Sequence, residues 1–160
     1  MIDNFTFYNP TKIVFGTGTI AKINKLIPRK AKVMVLYGGG SIKKNGVYEQ
    51  VMAALKKREV LEFGGIEANP DYDTLMQAVK KIQKKGVNFL LAVGGGSVID
   101  GVKFIALAAL YPGKDPWEIL AGDGLSQATE ALPFGTVLTL PATGSEMNSN
   151  AVISRRSIQE

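Results

Sequence analysis

The sequence predicts an α/β fold with an open, largely parallel sheet flanked by helices. Short apolar runs alternate along the chain with longer segments whose apolar residues recur at helical spacing. The short runs are apolar nearly throughout, which is typical of strands buried on both faces. Two of them end in Gly-Gly-Gly-Ser, a sequence that favours a sharp turn from strand to helix.

The predicted elements follow one another with short connections. Strands are expected at residues 12–15, 31–37, 60–63, 89–93 and 137–140, the first of them within a short N-terminal β-hairpin. Helices are expected around residues 20–27, 47–55, 71–86 and 98–110, with Asp71 or Asp73 as N-cap of the third helix and Gly86 as its end. The helix at 98–110 is apolar almost all round, which predicts a central position.

The composition bounds the class of protein. A chain of 160 residues with 46% hydrophobic residues can form one domain around a sizeable core. It has no cysteine, no membrane-length apolar run and no signal-peptide pattern, so we expect a cytoplasmic location and no membrane partner. The net charge of +5 comes mainly from lysines in helix-like stretches, which indicates a solvated surface and no nucleic-acid partner. Attraction of an anionic cofactor is the alternative.

The sequence contains no histidine. Histidine is the usual metal ligand and the usual acid or base near neutral pH. With cysteine absent as well, the chain cannot hold a Ser-His-Asp or Cys-His device, and a metal bound by this chain alone would need oxygen ligands. The composition therefore excludes these two devices and leaves an oxygen-ligated metal open.

Residues 38–41 and 94–97, here called the first and second glycine turns, each follow a predicted buried strand. Ligands of open parallel sheets bind beyond the carboxyl ends of the strands. Glycines there allow a close approach of the backbone, and the unpaired N–H groups at a following helix start attract phosphate. Two such turns predict a phosphate-binding edge; the alternative for each is a tight connection without a ligand.

Three residues in and after the second glycine turn carry side-chain chemistry. Ser97 is predicted either to cap the helix at 98–110 or to donate its hydroxyl to a phosphate oxygen. Asp100 and Lys103 are three residues apart and share one helix face. Because the helix is otherwise apolar, we expect this pair to face a cleft beside the glycines, with an ordinary surface ion pair as the alternative.

A further glycine motif, GTGTIA at residues 16–21, fits G-x-G-x-x-A. A dinucleotide fingerprint also needs an acidic residue about 20 positions on, which holds the ribose 2′-hydroxyl. The sequence at that place has no carboxylate, so we interpret Gly16 and Gly18 as turn residues.

The missing carboxylate favours NADP over NAD, since a negative charge there would repel a 2′-phosphate. Gly38 offers space and Ser41 a hydroxyl, while Lys43 and Lys44 add positive charge nearby. Lysines that face solvent and take no part are the alternative. Further along, the end of the last strand is rich in side chains that can donate to ribose, phosphate or a carboxamide, or that form an ordinary polar hairpin: Thr139, Thr143, Ser145, Asn148 and Asn150.

Together these motifs resemble the iron-containing alcohol dehydrogenases, in particular their butanol dehydrogenase and NADPH-dependent aldehyde reductase branch. The similar blocks run in the family's order over nearly the whole chain: FYNPTKIVFGTGTI, YGGGSIKKNGVY, GIEANP, AVGGGSVIDGVKFIA, DPWEIL and LTLPATGSEMNSNAVIS. The resemblance implies a Rossmann-like domain over residues 1–160 that binds NADP, with NAD as the less favoured cofactor. It implies that the cofactor-binding residues are Gly38, Gly39, Ser41, Asn69, Gly95, Gly96, Ser97, Asp100, Thr139, Leu140, Thr143, Asn150 and Val152.

The same resemblance implies what lies outside the chain. The family's helical domain, with its Fe or Zn ligands of one aspartate and three histidines, follows the last similar block and is expected to be absent here. The full-length enzyme is expected to act on a small alcohol or aldehyde, and the chain alone is expected to be inactive. The sequence does not reveal the oligomeric state, and self-association as a homodimer is expected only if a surface that the missing domain would cover is exposed. The alternatives are a stand-alone nucleotide-binding module and a relative of dehydroquinate synthase or glycerol-1-phosphate dehydrogenase.

Overall fold

A computed structural model describes residues 4–6 and 8–159. Its sheet has four strands in the order β2-β1-β3-β4, and all three neighbouring pairs are parallel. The strands are β1 (Lys32–Tyr37), β2 (Glu59–Phe63), β3 (Phe89–Gly95) and β4 (Phe134–Leu140). The predicted α/β fold with a parallel sheet flanked by helices is therefore confirmed.

Five α-helices connect or flank the described strands: α1 (Ile23–Leu26), α2 (Val47–Leu55), α3 (Tyr72–Lys85), α4 (Gly96–Ala108) and α5 (Glu118–Ala121). Short 3₁₀ helices lie at Thr19–Lys22, Ser41–Lys43, Asp123–Ser126, Ser145–Met147 and Arg156–Ile158. Asp71 is the N-cap of α3, since its carboxylate accepts a hydrogen bond from the Asp73 backbone N–H. Gly86 ends α3 in the left-handed conformation, with φ of 64°.

The core has two parts, one on each face of the sheet. Side chains of a strand alternate between faces, so Met34 and Leu36 of β1 belong to the cluster with α3 and α4, and Val33 and Val35 to the cluster with α1 and α2. All four are fully buried. Helix α4 is buried over most of its surface, which confirms its predicted central position.

The predicted strand at residues 12–15 is wrong, and the described residues before β1 contain no β-hairpin. Ile13 and Phe15 are 60% and 96% exposed. A strand needs a neighbour for its backbone hydrogen bonds, and the described residues offer none here. Phe7 and residues 1–3 of the predicted hairpin lie outside the described part. Gly16 and Gly18 adopt φ of 127° and 73°, which confirms them as turn residues.

Most element boundaries differ from prediction by one to three residues, and two of the differences lie near the glycine turns and the last strand. Helix α4 starts two residues earlier, at Gly96, because β3 passes into it with no intervening loop. Strand β4 starts at Phe134 rather than residue 137, since its first residue pairs with Leu90 of β3. None of the helices in the described part of the chain has the length and apolar character needed to cross a bilayer.

Candidate functional site

The two glycine turns lie side by side at the carboxyl edge of the sheet. Tyr37 of β1 pairs with Val93 of β3, so Gly38, just after β1, and Gly94, near the end of β3, lie at the same level of the sheet. A Cβ built on Gly38 would lie 3.6 Å from Cγ2 of Val98, at the start of α4. The predicted common edge of the two turns is thus confirmed, and it is the edge where ligands of parallel sheets bind.

The first glycine turn is open. No described atom lies within 4 Å of a Cβ built on Gly39, and Gly40 has φ of 93°, which favours glycine. The backbone N–H groups of Gly65 and Ile66 donate to the carbonyls of Gly38 and Tyr37, at 3.1 and 3.2 Å. They hold the loop after β2 against the turn. A cleft of about 370 Å³ results, lined by Tyr37, Gly38, Gly39, Gly40, Lys43, Gly64 and Gly65.

A charged and aromatic cluster lies beside this cleft, and sequence reasoning missed most of it. Glu62 of β2 accepts hydrogen bonds from the Tyr48 hydroxyl at 2.8 Å and the Tyr37 hydroxyl at 3.2 Å. Lys43 Nζ lies 4.0 Å from a Glu62 oxygen and about 5 Å from both tyrosine ring centres. The sequence argument concerned the end of β1, which indeed has no carboxylate, but the neighbouring strand β2 brings the carboxylate of Glu62 close to it.

Groups of this cluster shift the pKa values of their neighbours. The hydrogen bond to Glu62 raises the pKa of Tyr48, so the phenol stays a donor at neutral pH. Contact with the Tyr37 phenol, together with the Glu62 charge, raises the pKa of Lys43. The sequence did contain a signal, because Glu62 is a charged residue inside a short apolar run. The order of residues along the chain does not reveal which strand lies next to that run.

The second glycine turn is packed tightly by neighbouring side chains, while Gly95, Gly96 and Ser97 stay half-buried. A Cβ on Gly94 would lie 2.6 Å from Val98 Cγ2, and a Cβ on Gly96 would lie 2.6 Å from Thr143 Oγ1. Gly95 is the N-cap of α4 and, in the described structure, the cap makes no side-chain hydrogen bond. Ser97 lies inside the first turn of α4, so its predicted capping role is wrong. Its predicted role as a donor to phosphate stays a prediction.

Residues 143–152, here called the covering segment, lie over the start of α4. Lys103 Nζ donates to Asn148 Oδ1 at 3.0 Å and to the Asn150 carbonyl at 2.6 Å. Asp100 accepts from the Val152 backbone N–H at 3.2 Å and forms an ion pair with Lys103 at 3.6 Å. Burial lowers the pKa of Lys103, and the Asp100 charge opposes this shift. This pair therefore lies beneath the covering segment instead of facing an open cleft.

The other predicted site residues lie along the same edge. Asn69 is exposed, with φ of 58°, in the loop before α3. Thr139 falls where the pairing of β3 and β4 shifts register, next to Leu140, which pairs with Gly95. In the covering segment, the hydroxyls of Thr143 and Ser145 bond each other at 2.7 Å.

Ser41 and Val152 stand at the two ends of this row. Ser41 is exposed at the start of its 3₁₀ helix, and the Val152 side chain is 69% exposed beside a second cleft of about 280 Å³ that Trp117 also lines. The structure thus brings the predicted cofactor-binding residues to one edge, and their individual roles stay predictions.

The decisive comparison is with a family model described as iron-containing alcohol dehydrogenase, which matches residues 10–160. The chain belongs to the iron-containing alcohol dehydrogenase family. It is 58% identical over 156 residues to the NADPH-dependent aldehyde reductase YqhD of Escherichia coli, covering 97% of the chain and 40% of that protein. It is 49% identical over 156 residues to NADP-dependent alcohol dehydrogenase 3 of Entamoeba histolytica, covering 95% of the chain and 40% of that protein.

NADH-dependent enzymes also belong among these relatives. The chain is 48% identical over 162 residues to the probable NADH-dependent butanol dehydrogenase 1 of Bacillus subtilis, covering 99% of the chain and 41% of that protein. The chain thus spans about 40% of the length of the relatives it matches.

Solved structures of the family have the same fold. The Escherichia coli YqhD crystal structure matches with a TM-score of 0.93 at 58% identity, over 98% of this chain and 40% of that one. The NADH-dependent butanol dehydrogenase A of Thermotoga maritima matches with a TM-score of 0.90 at 48% identity, over 98% of this chain and 39% of that one. The Rossmann-like arrangement that the resemblance implied is therefore confirmed.

Proposed function

We propose that the chain is the cofactor-binding part of an NADP-dependent alcohol dehydrogenase or aldehyde reductase. The observation that carries this proposal is the pair of adjacent glycine turns at the carboxyl edge of β1 and β3. An edge of this kind binds phosphorylated ligands in open parallel sheets. Family membership and the NADPH- and NADP-dependent relatives support the choice of ligand.

The adenosine end of the cofactor is assigned to the first glycine turn. The cleft there is open at Gly39, where a ligand can approach the backbone without meeting a side chain. Gly38, Ser41 and the loop that contains Asn69 would surround the adenosine ribose and its 2′-phosphate. The Lys43 ammonium at the cleft wall supplies the positive charge that a 2′-phosphate requires.

The pyrophosphate and nicotinamide are assigned to the second glycine turn and its surroundings. Gly95, Gly96 and Ser97 would present backbone N–H groups at the start of α4, a 13-residue helix whose positive end attracts phosphate. Asp100 would act by holding the covering segment in place. The residues that would line the path toward the nicotinamide are Thr139, Leu140, Thr143, Asn150 and Val152.

The nicotinamide, when bound, supplies the hydride donor or acceptor for the reaction. The chain's own residues would bind and orient the dinucleotide, and the covering segment, held by Asp100 and Lys103, would lie beside it. The described residues do not fit a metal site, because no three His, Cys, Asp or Glu side chains among them come together. No step through a metal is therefore assigned to this chain, and we expect the chain by itself not to oxidise an alcohol.

We also infer, from the sequence, a cytoplasmic location, a homodimer and a small alcohol or aldehyde as the substrate of the complete enzyme. Relatives named as butanol dehydrogenases and an aldehyde reductase support the substrate class. The 160-residue domain boundary and the homodimer stay predictions.

Calorimetric titration of the chain with NADPH and with NADH tests the proposed function. We expect NADPH to bind more tightly, by about tenfold, because one favourable phosphate contact contributes about 1.4 kcal/mol. A second pair of ligands, 2′,5′-ADP and 5′-ADP, tests the adenosine end separately. Absence of binding by all four ligands would show that the glycine turns are only tight connections.

A further inference from the structure

We propose that the Glu62 carboxylate is a counter-charge to Lys43 that weakens the grip of the first glycine turn on a 2′-phosphate. It thereby brings the affinities for NADPH and NADH closer together. The proposal rests on the proposed function, since it takes the cleft at residues 38–41 as the site of the 2′-phosphate. It assigns a specificity-determining role to a residue outside the cleft lining.

The first step is that Glu62 places a carboxylate beside the cleft. Both tyrosine hydroxyls, from Tyr37 and Tyr48, donate to its two oxygens. A carboxylate side chain accepts hydrogen bonds at both oxygens and donates none. Its side chain is also 34% exposed, so water assists the charge. A full negative charge therefore stands beside the cleft.

The second step is that Glu62 and a phosphate would compete for the same ammonium group. Lys43 lines the cleft and has a side chain that is 47% exposed, with Nζ 4.0 Å from Glu62 Oε2. This separation is at the limit of an ion pair. Glu62 therefore offsets part of the positive charge of Lys43, and the ammonium group stays able to contact a ligand in the cleft. A phosphate in the cleft would gain the attraction of Lys43 and meet the repulsion of Glu62.

The third step is that Lys43 does not depend on Glu62 for its position. Its ammonium lies 4.9 Å from the Tyr37 ring centre and 5.0 Å from the Tyr48 ring centre. Two such cation–π contacts hold the group at the cleft wall. Neutralising Glu62 would therefore leave Lys43 at the cleft wall, where its half-exposed ammonium can turn to a phosphate instead of to the carboxylate.

The test is the change Glu62→Gln, which keeps the shape of the side chain and removes its charge. We expect NADPH affinity to increase by roughly three- to tenfold, as expected for removing one nearby like charge in a water-exposed cleft. NADH affinity should change by less than about twofold, because NADH has no 2′-phosphate to repel. Calorimetric titration of the 160-residue chain at low salt measures both values.

Glu59→Gln is the matched control. Glu59 lies on the same strand, at its opposite end, and forms an ion pair with Lys32 at 2.6 Å. Glu59 and Glu62 are three positions apart along the strand, a distance of about 10 Å. The change at Glu59 removes the same charge, and NADPH affinity should move by less than about twofold.

The variant Lys43→Met, alone and with Glu62→Gln, tests the mechanism. Competition for Lys43 predicts that Glu62→Gln has a smaller effect on NADPH when Lys43 is absent. An equal effect in both backgrounds would mean a general surface charge and would overturn the proposal. Weaker NADPH binding by Glu62→Gln would also overturn it, since Glu62 would then be positioning Lys43. If the unmodified chain binds neither cofactor, the proposed function fails first and this inference fails with it.

Discussion

The two glycine turns have the same four residues and lie at the ends of neighbouring strands, yet they differ in packing and in the element that follows them. The first turn leads into a loop and a 3₁₀ helix, Ser41–Lys43, and leaves Gly39 open to solvent. The second leads directly into α4, and both Val98 and Thr143 press against it. The first turn therefore offers space with side-chain charges, whereas the second offers a helix start fixed by packing.

This difference shows that a glycine motif permits backbone conformations and close contacts that other residues do not allow. The surrounding structure determines whether those properties give tight packing or an open cleft. In the second turn, glycine is needed at Gly94 and Gly96 because neighbouring atoms leave no room for a Cβ. In the first, it is needed at Gly40 for a left-handed backbone conformation, and Gly39 keeps a cleft free.

The largest expected effect is a difference in the free energy of unfolding between alanine variants of the two turns. Gly94→Ala places a Cβ 2.6 Å from Val98 Cγ2 and 2.9 Å from Val98 Cβ. We expect the free energy of unfolding to fall by about 2 kcal/mol, as in other overpacked cores. Gly39→Ala, which meets no described atom within 4 Å, is the control and should change it by less than about 0.5 kcal/mol. Urea unfolding measures both, and equal losses would contradict the distinction between the turns.

The next effect concerns cofactor preference at the open turn. Gly39→Asp should weaken NADPH binding about tenfold and NADH binding much less, because the added charge repels a 2′-phosphate. Gly39→Asn has nearly the same shape and serves as the uncharged control. Gly38 is the poorer choice, since a Cβ there would lie 3.1 Å from the Ile66 carbonyl oxygen. An equal loss for both cofactors in calorimetry would place the 2′-phosphate elsewhere.

The smallest effect is local and concerns the segment that covers the second turn. Lys103→Met removes the ammonium that holds Asn148 and Asn150. We expect the amides of residues 148–152 to exchange hydrogen faster, with a local opening free energy lower by about 1 kcal/mol. Exchange at residues 38–41 should not change.

Lys80→Met is the control for that experiment, since Lys80 is an exposed lysine on α3. Unchanged exchange at residues 148–152 in the Lys103 variant would mean that the covering segment is held by its own turns alone.

Much of the fold could be predicted from local sequence. The buried strands β1 and β3 are short and apolar throughout, and the ends of α3 are marked by Asp71 and Gly86. The strand at residues 12–15 could not be judged in this way, because a strand exists only where another takes up its hydrogen bonds. Local apolar character cannot show whether such a neighbour is present.

The candidate site was predicted in part. The sequence placed the glycine turns correctly because glycine and the end of a buried strand are both local features. It placed Asp100 and Lys103 on one helix face, but it could not show that residues 148–152 cover them. That contact joins positions about fifty residues apart, and no periodicity encodes it.

The sequence by itself determined the alternation of strands and helices, the glycine turns and the absence of histidine and cysteine, since each depends on residue type and short spacing. Tertiary structure alone decided that Glu62 stands beside Lys43 and that one glycine turn is open and the other tightly packed. The physical reason is that the strand order places β2 next to β1, and that hydrogen bonds hold the covering segment on α4. Charges and contacts that meet through folding act over a few ångströms in space, whatever their separation along the chain.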